Sequence, residues 1–456
     1  MPFLPNTYLT TINGPNIIYL KYLYRSVSKF GYKFKNLHNF EQSLFNVINI
    51  SNIFAAEIMQ MRNHPFYLFI ILLFLFVSCK QKVDRDTMTL ISENLFTDLD
   101  QKTMNEKAEW IDGIYSHLHK RSGFAGAIVY TEKGKLIYKK GFGYSDIKAK
   151  ENITTNSAFQ LASVSKMFTA TSIMILQERG LLDYDQDIRT YIPEFPYENI
   201  TCRLLMNHRS GLSRYMSLAQ DYWKDKRYPL TNADMLKLFV DHKPNTYFKP
   251  NNGFHYCNTN FALLANIVER ISGQAFNIFV KENIFTPLKM DDSFIYTTPK
   301  DSFISAYIKE GVPGYHYRGW KPIRQRNDYL NGVMGDKGVY SSVEDLFKFD
   351  QALYHGTLVS DSSLAEAYKK GSPDSRRHKD NYGFGWRIKG DMDSTVYHYG
   401  WWKGFRAFYI RDLKNEKSII VLSNRDKGPG SDHLWNIIKN NSYNLAPVCW
   451  LSGTIR

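Results

Sequence analysis

The chain has 456 residues and a mass of 53.2 kDa, enough for one large domain or for two to four ordinary ones. Hydrophobic residues make up 43%, charged residues 22% and aromatic residues 15%, which excludes collagen-like, coiled-coil and wholly disordered chains. Lysine and arginine number 58 against 44 acids, a net charge of +14, yet there is no dense basic run, zinc-finger spacing or helix-turn-helix pattern. The excess therefore reads as a solvated surface and no nucleic-acid partner is expected.

Residues 66–77 form an uncharged run of twelve, bounded by Ser78-Cys79 and the polar Lys80-Gln81-Lys82. A transmembrane helix needs about 20 apolar residues and a signal-peptide core about 7 to 15, so export fits better than a membrane span. Met61-Arg62-Asn63-His64 supplies a short basic start. Leu75-Phe76-Val77-Ser78-Cys79 resembles a bacterial lipoprotein lipobox with Cys79 as the lipidated residue, although Phe76 is bulky for that pattern. Residues 61–78 are expected to be a lipoprotein-type signal peptide, with Met61 as the expected start and 1–60 a non-native or mis-started extension. The competing reading makes 1–78 a genuine leader with a short membrane anchor. Both place the rest in the bacterial cell envelope, on the periplasmic or surface side, held to the membrane.

Residues 79–100 are polar and unpatterned, as suits a tether. Met104, Ala108, Ile111, Ile114 and Leu118 then recur at helical spacing over 101–120. The period changes to two over 124–131 and 135–142, a hairpin turning at Glu132-Lys133-Gly134. Met167, Phe168, Ala170, Ile173, Met174 and Leu176 mark a buried helix after Ser163 that Gly180 stops. Residues 183–300 carry helical patterns, including 260–272 and 276–284. Strands return at 395–399, 405–411 and 418–423, and a helix over 432–439 closes the domain. Strands from both chain ends around a helical insertion predict an α+β fold, an antiparallel sheet flanked by helices plus an all-helical lobe, over 101–442. The cleft between the two is the expected site. Residues 443–456 are read as a tail.

Dinucleotide, Walker and zinc-protease motifs are absent, and Cys79, Cys202, Cys257 and Cys449 show neither a disulfide framework nor metal-ligand spacing. No metal or cofactor is expected. Ser163-Val164-Ser165-Lys166 stands at the mouth of the buried helix. Side chains three apart on a helix share a face, so the amine can reach the hydroxyl, and the serine N–H at a helix start has no intrahelical partner. A solvated lysine is uncharged in only about one molecule in a few thousand at pH 7, so a base here requires burial.

This stretch resembles the serine β-lactamase and penicillin-binding-protein superfamily, in its class C-like branch. Tyr256-Cys257-Asn258 matches the second motif, Tyr-x-Asn, and His398-Tyr399-Gly400 the third, in the expected order. Leu204 to Leu212, Asn283 to Met290, Gly338 to Leu346 and Tyr382-Gly383-Phe384-Gly385-Trp386 are similar to the family too, so the resemblance covers about 105 to 440.

The resemblance implies that Ser163 attacks a carbonyl carbon and becomes acylated, with Lys166 and Tyr256 sharing the proton work. Asn258 would bond Lys166 and a substrate amide, the N–H groups of Ser163 and Trp401 would hold the oxyanion, His398 would face the substrate, and Gly400 would leave it room. Ser165, His208 and Cys257 are read as structural. The family's β-lactamases usually carry Lys-Thr-Gly or Lys-Ser-Gly where His398-Tyr399-Gly400 stands, and bulky Tyr399 and the paired Trp401-Trp402 are expected to narrow or reshape the cleft. The expected function is an envelope-anchored serine hydrolase acting on a small ester, a D-amino-acid peptide or a peptidoglycan stem peptide. The alternatives are a β-lactamase and a catalytically silent penicillin-binding-like protein. Partners are a small-molecule or peptide substrate and the membrane; the oligomeric state stays open.

Overall fold

A computed structural model describes residues 99–439 apart from 309, 375–379 and 393. The expected extension 1–60, signal segment 61–78, lipidated Cys79, most of the tether and the tail 443–456 lie outside the described residues.

Helix α1, Gln101–Ser122, opens the domain; the Asp100 carboxylate accepts from the Thr103 N–H and Gly123 closes the helix at φ 62°. Strands β1 (Gly126–Glu132) and β2 (Lys135–Phe142) follow, joined by Lys133 and Gly134, both at positive φ as a two-residue hairpin turn requires. Short strands β3 (Tyr144–Asp146), β4 (Glu151–Asn152) and β5 (Phe159–Gln160) lead to α2, Lys166–Glu178. The helical lobe contains α3 (Cys202–Met206), α4 (Tyr215–Tyr222), α5 (Asn232–His242), α6 (Asn258–Ser272) and α7 (Phe276–Val280). Strand β6 (Phe294–Ile295), the hairpin β7 (Tyr315–Arg318) and β8 (Lys321–Arg324), and β9 (Val339–Ser341) return the chain to α8, Val343–Tyr354, and α9, Asp361–Ala367. Strands β10 (Asn381–Tyr382), β11 (Arg387–Ile388), β12 (Thr395–Trp402), β13 (Phe405–Asp412) and β14 (Lys417–Ser423) precede the last described helix, α10, Asp432–Lys439.

The main sheet has the order β10-β11-β12-β13-β14-β1-β2 with every neighbour antiparallel, so strands from the two ends of the domain meet at its centre. Every residue of β1 and β14 is buried, because both faces are covered. Ile128, Tyr130, Ile419 and Val421 meet Ile111 and Tyr115 of α1 and Leu434 and Ile437 of α10 on one face. Ala127, Val129, Ile420 and Leu422 join the core of the helical side on the other. This is the expected α+β architecture. Eleven consecutive residues of α2, Lys166 to Leu176, are buried, and α6 packs on α2, α3, α5 and α7 as the centre of the lobe.

Two readings of the chain differ from the fold. Strand β12 runs three residues beyond Tyr399, because Lys403 and Gly404 at positive φ make a two-residue turn directly into β13. Residues 276–284 form one short helix and a turn of π-helix, Lys281–Phe285, not a single helix.

Candidate active site

The serine turn is fixed before α2 begins. Leu161 donates its N–H to Val339 O at 2.8 Å, continuing the pairing of β5 with β9. Ala162 then takes φ 48°, a left-handed conformation that costs a residue with a β-carbon roughly 1–2 kcal/mol. Residues Ala162–Ser165 form a turn of 3-10 helix rather than the start of the α-helix. In that geometry positions three apart eclipse, which brings Lys166 closer to Ser163 than α-helical spacing would. Ser163 stays half-buried, while Ser165 points inward and its Oγ accepts from the Val339 N–H at 3.2 Å, the structural role expected of it.

Lys166 is 0% exposed. Its Nζ lies 2.9 Å from Asn258 Oδ1, 2.8 Å from Asp336 O and 3.1 Å from Ser163 Oγ. The first two atoms can only accept, so they take two N–H bonds and leave the third direction aimed at the serine hydroxyl. In the uncharged amine that direction is a lone pair, which can receive the Ser163 proton.

Cys257 precedes α6 and Asn258 opens it, which is how the second motif reaches Lys166. The Tyr256 ring centroid stands 5.1 Å from Lys166 Nζ. His208 supports the second motif: its Nδ1 accepts from the Cys257 N–H at 3.2 Å, and its ring packs 4.3 Å from Tyr256 and 4.6 Å from Tyr382. Accepting at Nδ1 puts the proton on Nε2, and burial, reinforced by Lys166 and His398, holds this imidazole neutral, well below its usual pKa. It braces the backbone between Tyr256 and Asn258.

The third motif needs three corrections. His398 faces the site side of β12 but is 1% exposed, and both its ring nitrogens are occupied, Nε2 by Tyr382 Oη and Nδ1 by Tyr399 O, each at 2.8 Å. Burial, with Arg387 and Lys166 nearby, holds it neutral, so it is a support for Tyr382 and not a ligand for a substrate carboxylate. Gly400 gives no room to substrate: a β-carbon there would meet Leu161 O at 2.1 Å, so the glycine lets the strand lie against the serine turn. Tyr399 does not narrow the cleft, because strand alternation sends it to the opposite face, against Phe408 and Trp435.

Trp401 lies near the end of β12. Lys389 N–H bonds Thr395 O, so odd-numbered residues of β12 direct their backbone groups toward β11. Strand β11 reaches only as far as Tyr397. The Trp401 N–H therefore leaves the unpaired part of that edge, beside the turn that carries Ser163, while its side chain is 67% exposed.

Arg387 was not legible beforehand. Its guanidinium lies 5.2 Å from the Tyr256 ring centroid and 5.8 Å from that of Tyr382, and no described acid pairs with it. A lone arginine after the Gly-rich 383–386 segment carries no signal in sequence. Among the described residues no group of three or more His, Cys, Asp or Glu side chains could hold a metal ion. A separate cavity of about 1070 Å³, lined by Asp146, Asp292 and Arg324 among others, includes no residue of the three motifs.

A family model described as Beta-lactamase matches residues 111–440. Penicillin-binding protein 4* of Bacillus subtilis (strain 168) is 34% identical over 330 residues, covering 70% of this chain and 72% of its own. The penicillin binding protein from Bacillus halodurans superposes with a TM-score of 0.60 at 25% identity, over 71% of this chain and 96% of its own. The D-amino acid amidase from Ochrobactrum anthropi SV3 gives a TM-score of 0.56 at 23% identity, over 71% and 91%, a likeness of fold.

Proposed function

The chain belongs to the β-lactamase family, and from that premise we propose an envelope-anchored serine hydrolase that cleaves an ester or amide through an acyl-enzyme on Ser163. The observation that carries this reading is the buried Lys166 amine, tied to two fixed acceptors with its remaining direction on Ser163 Oγ. Lys166 takes the hydroxyl proton as Oγ attacks the carbonyl carbon, and the N–H groups of Ser163 and Trp401 receive the oxyanion. Tyr256 relays the proton to the leaving group as the ester or amide bond breaks, and water then releases the acid by the reverse proton path.

Arg387 supports a substrate with a carboxylate beyond the scissile bond, as in a D-amino-acid or stem peptide. It is a cation beside Tyr256 without an acidic partner among the described residues, while His398 is neutral. The anchoring rests on the apolar run 66–77 and on Cys79. Mass analysis of the exported protein should find an acylated Cys79; an unmodified Met1 would defeat the anchor.

Labelling tests the chemistry. A fluorescent penicillin or a fluorophosphonate should label the wild-type chain and leave Ser163→Ala unlabelled. Failure of both reagents would favour a binding protein, and rapid nitrocefin turnover would favour a β-lactamase.

A further inference from the structure

We infer that Asp336, Lys337 and Tyr215 form a buried clamp that positions both oxygen acceptors of Lys166 against Ser163. The inference rests on the reading of Ser163 and Lys166 as nucleophile and base.

The three side chains close a ring. Lys337 Nζ donates to Tyr215 Oη at 2.6 Å, Tyr215 Oη donates to Asp336 Oδ2 at 3.1 Å, and Asp336 Oδ1 lies 3.3 Å from Lys337 Nζ. Their exposures are 3%, 1% and 1% for Lys337, Tyr215 and Asp336. Two charges without solvent are seldom a gain in stability, since a well-packed apolar replacement of such a pair is often neutral or better. Stability alone therefore gives no reason for this ring to stand one peptide unit from the base.

Its connections do. The backbone carbonyl of Asp336 is one of the two fixed acceptors of Lys166. The other acceptor, Asn258, precedes Thr259, whose Oγ1 accepts from the Tyr215 N–H at 2.8 Å and donates to Ser213 O at 2.7 Å. The ring thus ties the Asp336 segment to the first residues of α6, and so ties one acceptor to the other. Gly335 holds the same segment between helices: Thr169 Oγ1 of α2 donates to Gly335 O at 2.7 Å, and a β-carbon on Gly335 would meet Phe261 O of α6 at 2.4 Å. Lys337 Nζ also sits 5.4 Å from the Trp402 ring, at the end of the strand that supplies the Trp401 N–H. Burial lowers the Lys337 pKa and Asp336 draws it back, which keeps the pair mutually dependent.

The test measures fluorophosphonate labelling of the full chain against reagent concentration, separating the saturating rate from the half-saturating concentration. The double substitution Asp336→Asn with Lys337→Met removes both charges together and leaves no orphan ion. Tyr215→Phe opens the ring while keeping the ion pair, and serves if the double variant fails to fold. For a folded variant the saturating rate should fall by about 10- to 100-fold, with the half-saturating concentration little changed. A wild-type saturating rate in a folded variant, or a fall only in proportion to unfolded protein, would overturn the clamp with the function intact. If the fluorophosphonate leaves the wild-type chain unlabelled, the same rates are read with the fluorescent penicillin; a wild-type chain labelled by neither would overturn the function and the clamp together.

Discussion

Gly400 and Leu161 are packed so closely that a β-carbon on the glycine would lie 2.1 Å from the Leu161 carbonyl oxygen and 3.2 Å from the Ala162 β-carbon. Neither partner is a flexible side-chain end, so strand β12 and the serine turn must separate to admit a methyl group. Overpacking of this kind costs about 1–3 kcal/mol, and a displacement near 1 Å at a reacting centre can cost about 100-fold in rate. Gly400→Ala should therefore slow penicillin labelling of Ser163 by roughly two orders of magnitude and lower the unfolding midpoint. A wild-type labelling rate would show that the Trp401 N–H and Ser163 need not be held by this contact.

Arg387 predicts a split between substrates. A hydrogen bond to a charged group contributes about 1.5–3 kcal/mol, or about 10- to 100-fold. Arg387→Gln should raise KM by that factor for peptides ending in a free carboxylate and leave neutral esters nearly unchanged. Equal losses on both classes would assign Arg387 to the support of Tyr256 and not to the substrate.

Much of this site was legible because its chemistry is local. Ser163 and Lys166 are one turn apart, so spacing alone brought them together, and the α2 pattern predicted the burial that the amine needs. Tyr256, Asn258 and Trp401 came through the resemblance, and the structure brings Asn258 to Lys166 and the Trp401 N–H to an open strand edge. What a linear reading could not supply was direction. His398 and Gly400 are in the motif, but which faces substrate depends on how β12 lies against Leu161. The same holds for Tyr399, whose size suggested obstruction until strand alternation turned it away. Asp336 meets Lys166, Lys337 meets Tyr215 and Arg387 meets Tyr256 only through tertiary contacts across more than a hundred residues, and Tyr215 reaches Thr259 across 44, separations for which composition and period carry no signal.

Acid should destabilise the domain before any carboxylate of ordinary pKa is titrated. His208 and His398 are buried and His433 is partly buried, all three in the neutral form, with desolvation the largest cause in each, and His433 is lowered to about 4. In the unfolded chain each protonates near 6.5. Below that value the unfolded state takes up protons that the native state refuses, so stability falls as pH falls, from about 6.5 down to about 4 for His433 and in the same direction for the other two. Asp225, lowered to about 2 by its bonds to Arg227, stays ionised across that window and does not contribute to the fall. For His433 the loss reaches about 2 kcal/mol at pH 5. Urea unfolding at pH 7.5 and pH 5 should show a lower midpoint at the acid value. His433→Gln, which retains an acceptor for the Tyr115 hydroxyl, should narrow the difference by that one titration while leaving the other two. Identical midpoints at both pH values would mean that these imidazoles reach protons in the native state, and that His208 and His398 do not stay neutral beside Lys166.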